Sequence, residues 1–359
     1  MEQSERIASF PHMGNYHVVV KALIKRILNM KVMTPPPITK RTIELGAKHS
    51  PEAVCVPFKY NLGNYIESLE KGADILFQAG GGCRFGYYGE VQEQILRDLG
   101  YEFEFLSFDA SAGSSIIQIY KAFKNLNPEI TISKFMQSFL LTMKMLKCMD
   151  EVEEYIRKNI GFEAQKGSFE KMQKSFLNEL EKVKSLREIK EIHRKYKEKF
   201  EKIEIVKPDK PIRVGIVGEL YVLMEPFSNY FIEKELAAYG MEVHRFITAS
   251  HLLTKRKKHN ERLAKEASKY IKYHIGADGT ETVEKSKMLA EEKFDGLIHV
   301  KPFGCMPEVN AMPMLQRISS DYKIPVLYFS FDSQTSETGI KTRLEAFHDM
   351  LTMKRGEKK

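Results

Sequence analysis

The stretch Asp74-Ile75-Leu76-Phe77-Gln78-Ala79-Gly80-Gly81-Gly82-Cys83-Arg84-Phe85-Gly86-Tyr87-Tyr88-Gly89 decides the fold class. Asp74 to Gln78 is a short apolar run, and the glycines at 80, 81 and 82 break it, which is the pattern of a buried strand running into a turn. A helix is expected from about Gly89 to Leu99, ended by Gly100 at the position where a left-handed residue closes a helix. Tyr101 to Ser107 then returns as a strand. Strand, helix, strand in this order is a βαβ unit, and βαβ units build a mainly parallel sheet.

The same alternation extends in both directions. Upstream, Arg6 to Phe10 predicts a short strand that ends at Pro11-His12-Met13-Gly14-Asn15, and a helix follows from about Tyr16 to Leu28. Pro35, Pro36 and Pro37 cannot lie inside a helix, and Thr39 after them is a good N-cap for a helix through Lys48. Ala53 to Val56 reads as a further short strand, with a helix from about Asn61 to Lys71. Downstream, from about Ile116 to Lys202, strand signals vanish and apolar residues recur at three and four, as in Phe135, Phe139, Leu140, Met143 and Leu146. Lys207-Pro208-Asp209-Lys210-Pro211 is a linker, after which strands are expected at Arg213–Val217, Met241–Ile247, Gly296–Val300 and Pro325–Phe329. Helices are expected between them, one opened by Pro226 and ended at Gly240, one starting near Glu308, and a last one from about Gly339 to Met353. The expected architecture is α/β, with two Rossmann-like parallel-sheet lobes at 1–115 and 207–359 and a helical insert at 116–206 between them.

A chain of 359 residues is long enough for two or three compact units. Its 43% hydrophobic and 29% charged residues are those of a soluble globular protein, and no apolar run approaches the roughly 20 residues that span a bilayer. The first ten residues lack the basic start and apolar stretch of a signal peptide, so a cytoplasmic location is expected. A net charge of +8 raises nucleic-acid binding, but much of it lies where Glu and Lys intermingle at helical spacing, as solvated helix faces do. Nucleic acid is therefore not the expected partner. Lys255-Arg256-Lys257-Lys258 reads as a plain surface patch, with an acidic partner or a phosphate as the alternative.

Of four cysteines, Cys55, Cys83 and Cys305 each follow an expected strand and lie among glycines and prolines. Open α/β sheets bind ligands beyond the carboxyl ends of their strands. Wide spacing without an export signal argues against disulfides, so reduced thiols are available as ligands. Three thiolates converging there would hold a metal or iron–sulfur centre with one position open, and Gly81 and Gly82 would let the backbone approach such a centre. The competing reading is ordinary packing, because free cysteine is among the most buried residue types. Cys148, inside the helical stretch, is read as packing. The loop from Gly80 to Gly89 matches neither Gly-x-Gly-x-x-Gly nor a Gly-Lys-Ser/Thr ending, and Gly215-Ile-Val-Gly218 is weaker, so ATP hydrolysis by this chain is not expected. His12 and His299 lie near strand ends as possible ligands or proton donors, with ordinary polar roles as the alternative; Ser107, Asp332 and Glu337 are loop candidates without a paired partner.

At Pro11–Tyr16, Pro35–Thr42, Cys55–Lys59, Gly80–Gly89 and Lys301-Pro302-Phe303-Gly304-Cys305-Met306-Pro307-Glu308, the chain resembles the 2-hydroxyacyl-CoA dehydratase family, in particular its activase-associated members. The resemblance implies a 4Fe-4S cluster, or a larger double-cubane-type cluster, held by three cysteines that map onto Cys55, Cys83 and Cys305. It further implies a separate ATP-dependent activase that injects one low-potential electron, a related subunit or second copy as mate, and an acyl-CoA-type or other small substrate dehydrated or reduced through a ketyl radical. A non-catalytic electron carrier or activase scaffold is the alternative within the family. A zinc- or ligand-binding two-lobed protein is the alternative outside it.

Overall fold

A computed structural model of the chain describes residues 6–81, 83–109, 116–250 and 265–356. Gly82 and residues 255–258 lie outside the described residues. The chain divides into two compact units, residues 1–146 with 180–186, and residues 147–179 with 187–359.

Unit one carries a four-stranded, all-parallel sheet in the order β2-β1-β3-β4, from β1 (Ile7–Ser9), β2 (Lys31–Val32), β3 (Ile75–Gly80) and β4 (Glu104–Asp109). Helices α1 (His17–Leu28), α2 (Lys40–His49), α3 (Val56–Glu70), α4 (Tyr88–Asp98) and α5 (Ile116–Leu126) connect and cover it. Successive residues of a strand face opposite sides, and β3 shows the consequence. Ile75 and Phe77 enter a core with Ile24, Ile27 and Phe123, while Leu76 enters a second core with Phe58, Leu62 and Leu96. The central strand β3 is buried on both faces, as strands of parallel sheets are, while the edge strands β2 and β4 are partly exposed. Phe77, Phe108 and Phe123 stack within the first core at centroid separations of 5.4–6.5 Å.

The expected strand over Ala53–Val56 is absent. Those residues form a turn and the start of α3, because Pro57 suits the first turn of a helix and the apolar run is the helix's buried face. Cys55 therefore sits between α2 and α3, as the N-cap of α3, and does not follow a strand. Thr39 caps α2 as expected, with its side chain and that of Thr42 closing a reciprocal capping box.

The helical stretch contributes to both units. The long helix α6 (Ile132–Asn159) passes from the first into the second, where α7 (Ser168–Leu180) and α8 (Leu186–Glu201) follow. Tyr155, Phe169, Phe176, Tyr196 and Phe200 make aromatic contacts among these helices, and Cys148 of α6 is buried at 4% exposure.

Unit two carries the second parallel sheet, order β6-β5-β7-β8, from β5 (Ile212–Gly218), β6 (Met241–Arg245), β7 (Gly296–Pro302) and β8 (Val326–Phe331). Its helices are α9 (Leu220–Met224), α10 (Ile232–Ala238), α11 (Gly279–Glu291), α12 (Met306–Tyr322) and α13 (Glu337–Gly356). The single helix expected from Pro226 to Gly240 is interrupted. A 3₁₀ turn at Pro226–Asn229 is followed by Tyr230 and Phe231 in the left-handed region, at φ 56° and 57°, and α10 starts only afterwards. In both units the strand order reverses between the first and third strands of the sheet, β1 and β3 in one, β5 and β7 in the other. Ligand crevices of open α/β sheets form beyond the strand ends at such a switch point.

Candidate functional site

In unit one, β3 ends at Gly80, where a Cβ would lie 2.2 Å from the Phe85 ring, so only glycine lets the turn fold back. Gly81 has φ +154°, and Cys83 then opens a 3₁₀ turn over Arg84–Tyr87 that leads directly into α4. The Cys83 Sγ accepts from the Phe85 backbone N–H at 3.4 Å. Cys55, at the other N-cap, has its Sγ 2.9 Å from the Tyr88 Oη. Tyr88 is buried, and its ring meets Phe58 edge-on at 4.9 Å and Phe85 at 5.3 Å. Burial raises the Tyr88 phenol well above its usual range, and the neighbouring Cys55 charge adds to the effect. His12, at the end of β1, stacks on His17 at 5.3 Å and donates its backbone N–H to buried Asn64.

In unit two, the matching strand end is built around buried polar groups. Gly218 closes β5 at φ +137°, with the Val300 carbonyl only 1.8 Å from where a Cβ would be. Glu219 follows and caps α9 through the Tyr221 and Val222 N–H groups, at 3.1 and 2.9 Å. Burial pushes its carboxyl up to about 8 against those two hydrogen bonds, with Asp278 and Glu308 adding negative charge. From β7, Lys301 is buried beside the charges of Cys305 and Glu308, which oppose the lowering of its ammonium by burial. Gly304 turns the chain at φ +73°, and Cys305 is the N-cap of α12. Three residues on, Glu308 accepts from Thr282 at 3.1 Å and meets the His299 Nε2 at 2.7 Å, all three side chains being buried. His299 is thus a structural link between β7 and α12, the ordinary role weighed against ligation.

The remaining candidates have local duties. Asp332 accepts from Gln334 and Thr335 in a turn, Glu337 pairs with Lys341 on α13, and Ser107 lies on β4 under Gly89, where a Cβ would come within 2.4 Å of its Oγ.

Cys55, Cys83 and Cys305 each occupy the N-cap position of a helix or 3₁₀ turn, Cys83 alone with a side-chain capping hydrogen bond, and none forms a disulfide. Cys148 differs: burial, with Glu151 nearby, pushes its thiol up to about 12. Among the described residues, no group of three or more His, Cys, Asp or Glu side chains stands ready-made as a metal site. What fits an iron–sulfur group is the donor chemistry, three soft thiols, of which Cys83 accepts a backbone N–H donor and Cys55 faces the Tyr88 hydroxyl. Tyr88 and Glu219 carried no signal of their own in the sequence; Tyr88 meets Cys55 from 33 positions away, and Glu219 is set apart by its burial.

The family described as 2-hydroxyglutaryl-CoA dehydratase, D-component, matches residues 116–351, more than half of the chain. The chain belongs to that family. The matched region includes Cys305 and the whole second sheet, and ends short of Cys55 and Cys83 on the N-terminal side. No curated protein sequence matches the chain. Among the described residues, no helix is long and apolar enough to cross a membrane.

Proposed function

We propose that this dehydratase-family chain is an iron–sulfur subunit in which Cys55, Cys83 and Cys305 hold a 4Fe-4S cluster. Electrons come from a separate ATP-dependent activase, a related subunit or second copy completes the enzyme, and an acyl-CoA-type substrate is dehydrated or reduced. One observation carries this assignment: the three cysteines that are not fully buried are the three at the N-cap of a helix or 3₁₀ turn, whereas the fourth is buried in α6. When bound, such a cluster supplies a low-potential electron and a Lewis-acidic iron for a substrate oxygen.

The chain's own residues supply the setting. Each of the three cysteines sits at the start of a helix or 3₁₀ turn, and the Phe85 N–H donates to the Cys83 sulfur, which favours its anionic form. The Glu308 link to His299 and Thr282 fixes the first turn of α12, and with it the backbone at Cys305. Lys301 places a positive charge beside Cys305 and offsets part of the negative charge of the thiolate. Glu219, with its carboxyl near 8, can hold or give up a proton near neutral pH at the end of β5.

Anaerobic purification with iron and sulfide analysis tests the assignment. About four irons and four sulfides per chain are expected, as for a cubane cluster, lost in Cys55→Ala, Cys83→Ala or Cys305→Ala and kept in Cys148→Ala. A colourless, iron-free protein unchanged by Cys83→Ala overturns it. Addition of an activase, ATP and a 2-hydroxyacyl-CoA then separates the roles, because product formation marks an enzyme and cluster reduction without turnover marks a carrier.

A further inference from the structure

Cys55 has one partner whose position is set by packing on two sides. Tyr88 opens α4 and is 6% exposed, and Phe58 and Phe85 fix its ring so that the Oη lies 2.9 Å from the Cys55 Sγ. A phenol is a good donor, whereas a thiol is a weak one and a thiolate a strong acceptor, so the favourable arrangement is O–H donating to S⁻. We infer that Tyr88 is a positioning residue for Cys55, donating a hydrogen bond to its thiolate, orienting the sulfur and drawing charge from it.

Two consequences differ from those of simple packing. Without a cluster, the hydrogen bond favours the thiolate of Cys55. With one, a donor to a ligating sulfur favours the reduced, more negative state, and so raises the potential. The second consequence rests on the proposed function; the first does not.

Tyr88→Phe keeps the ring and removes only the hydroxyl. In metal-free protein, alkylation of Cys55 and Cys83 by iodoacetamide at pH 8 is followed by peptide mass spectrometry. A hydrogen bond to a charged group shifts the thiolate population by about tenfold or more, and the higher nucleophilicity of the more basic thiolate offsets about half of that on a logarithmic scale. Alkylation at Cys55 is expected to slow by about threefold, with Cys83 unchanged. In reconstituted protein, a redox titration followed by electron paramagnetic resonance should show a more negative potential at unchanged iron content, by about 59 mV for each tenfold loss of preference for the reduced state. Unchanged or faster alkylation at Cys55 overturns the inference, and faster alkylation at both cysteines shows that Tyr88 only packs. If wild-type protein binds no iron, the cluster assignment fails while the alkylation result still decides the role of Tyr88.

Discussion

Glu219 is the titratable group whose environment has the clearest energetic consequence. Its carboxyl, ordinarily near 4.5, is raised to about 8 by burial, so the folded chain binds a proton that the unfolded chain releases between those values. Stability contributed at this position therefore falls as pH rises from about 4.5 to about 8, and is level above that. Glu219→Gln keeps an acceptor oxygen for one of the two N–H groups, of Tyr221 and Val222, and removes the charge. The variant is expected to match the parent near pH 4.5 and to be the more stable protein at pH 8–9, as read by denaturant unfolding across pH. Equal stability at both ends of the range would show that the carboxyl titrates normally. His299 and Glu308 hold each other within the core through the imidazole Nε2 and a carboxylate oxygen, while the buried His299 Nδ1 has no hydrogen-bond partner among the described residues.

At the scale of elements, helix starts carry much of the local specification. Thr39 ends a proline-rich approach and closes a capping box with Thr42, satisfying N–H groups that the first turn of α2 otherwise leaves open. Thr39→Ala is expected to cost about 1 kcal/mol of unit-one stability, measurable as a lowered denaturation midpoint at unchanged slope. The segment between β5 and β6 behaves differently. There the ion pairs of Arg245 with Glu153 and Glu233, with Arg157 also meeting Glu153, tie β6 and α10 to the second half of α6. These side chains are largely buried, and such pairs set geometry more than they add stability. The 3₁₀ turn and the left-handed Tyr230 and Phe231 replace the one continuous helix suggested by Pro226 and Gly240.

For the whole molecule, the two sheets have separate cores. Leu315 is fully buried with Val283, Leu297 and Ile318 in unit two, whereas Ile75 and Phe77 anchor unit one. Leu315→Ala is expected to cost about 2–5 kcal/mol through lost burial and a residual cavity. Hydrogen exchange should quicken in β5–β8 and stay unchanged in β1–β4; equal loss of protection in both sheets would show that the units unfold as one. The alternation of strands and helices, the parallel sheets, the cap at Thr39 and the burial of Cys148 were all determined by the sequence itself. Those features depend on periodicity, on glycine and proline geometry, and on neighbours a few positions away. Tertiary structure alone decided that Ala53–Val56 is no strand, because a short apolar run fits a buried helix face as well as a strand. It alone decided that Tyr88 faces Cys55 across 33 positions and that Thr282 holds Glu308 across 26. A hydrogen bond between distant residues depends on how helices pack against a sheet, and the pattern of either segment by itself does not record that packing.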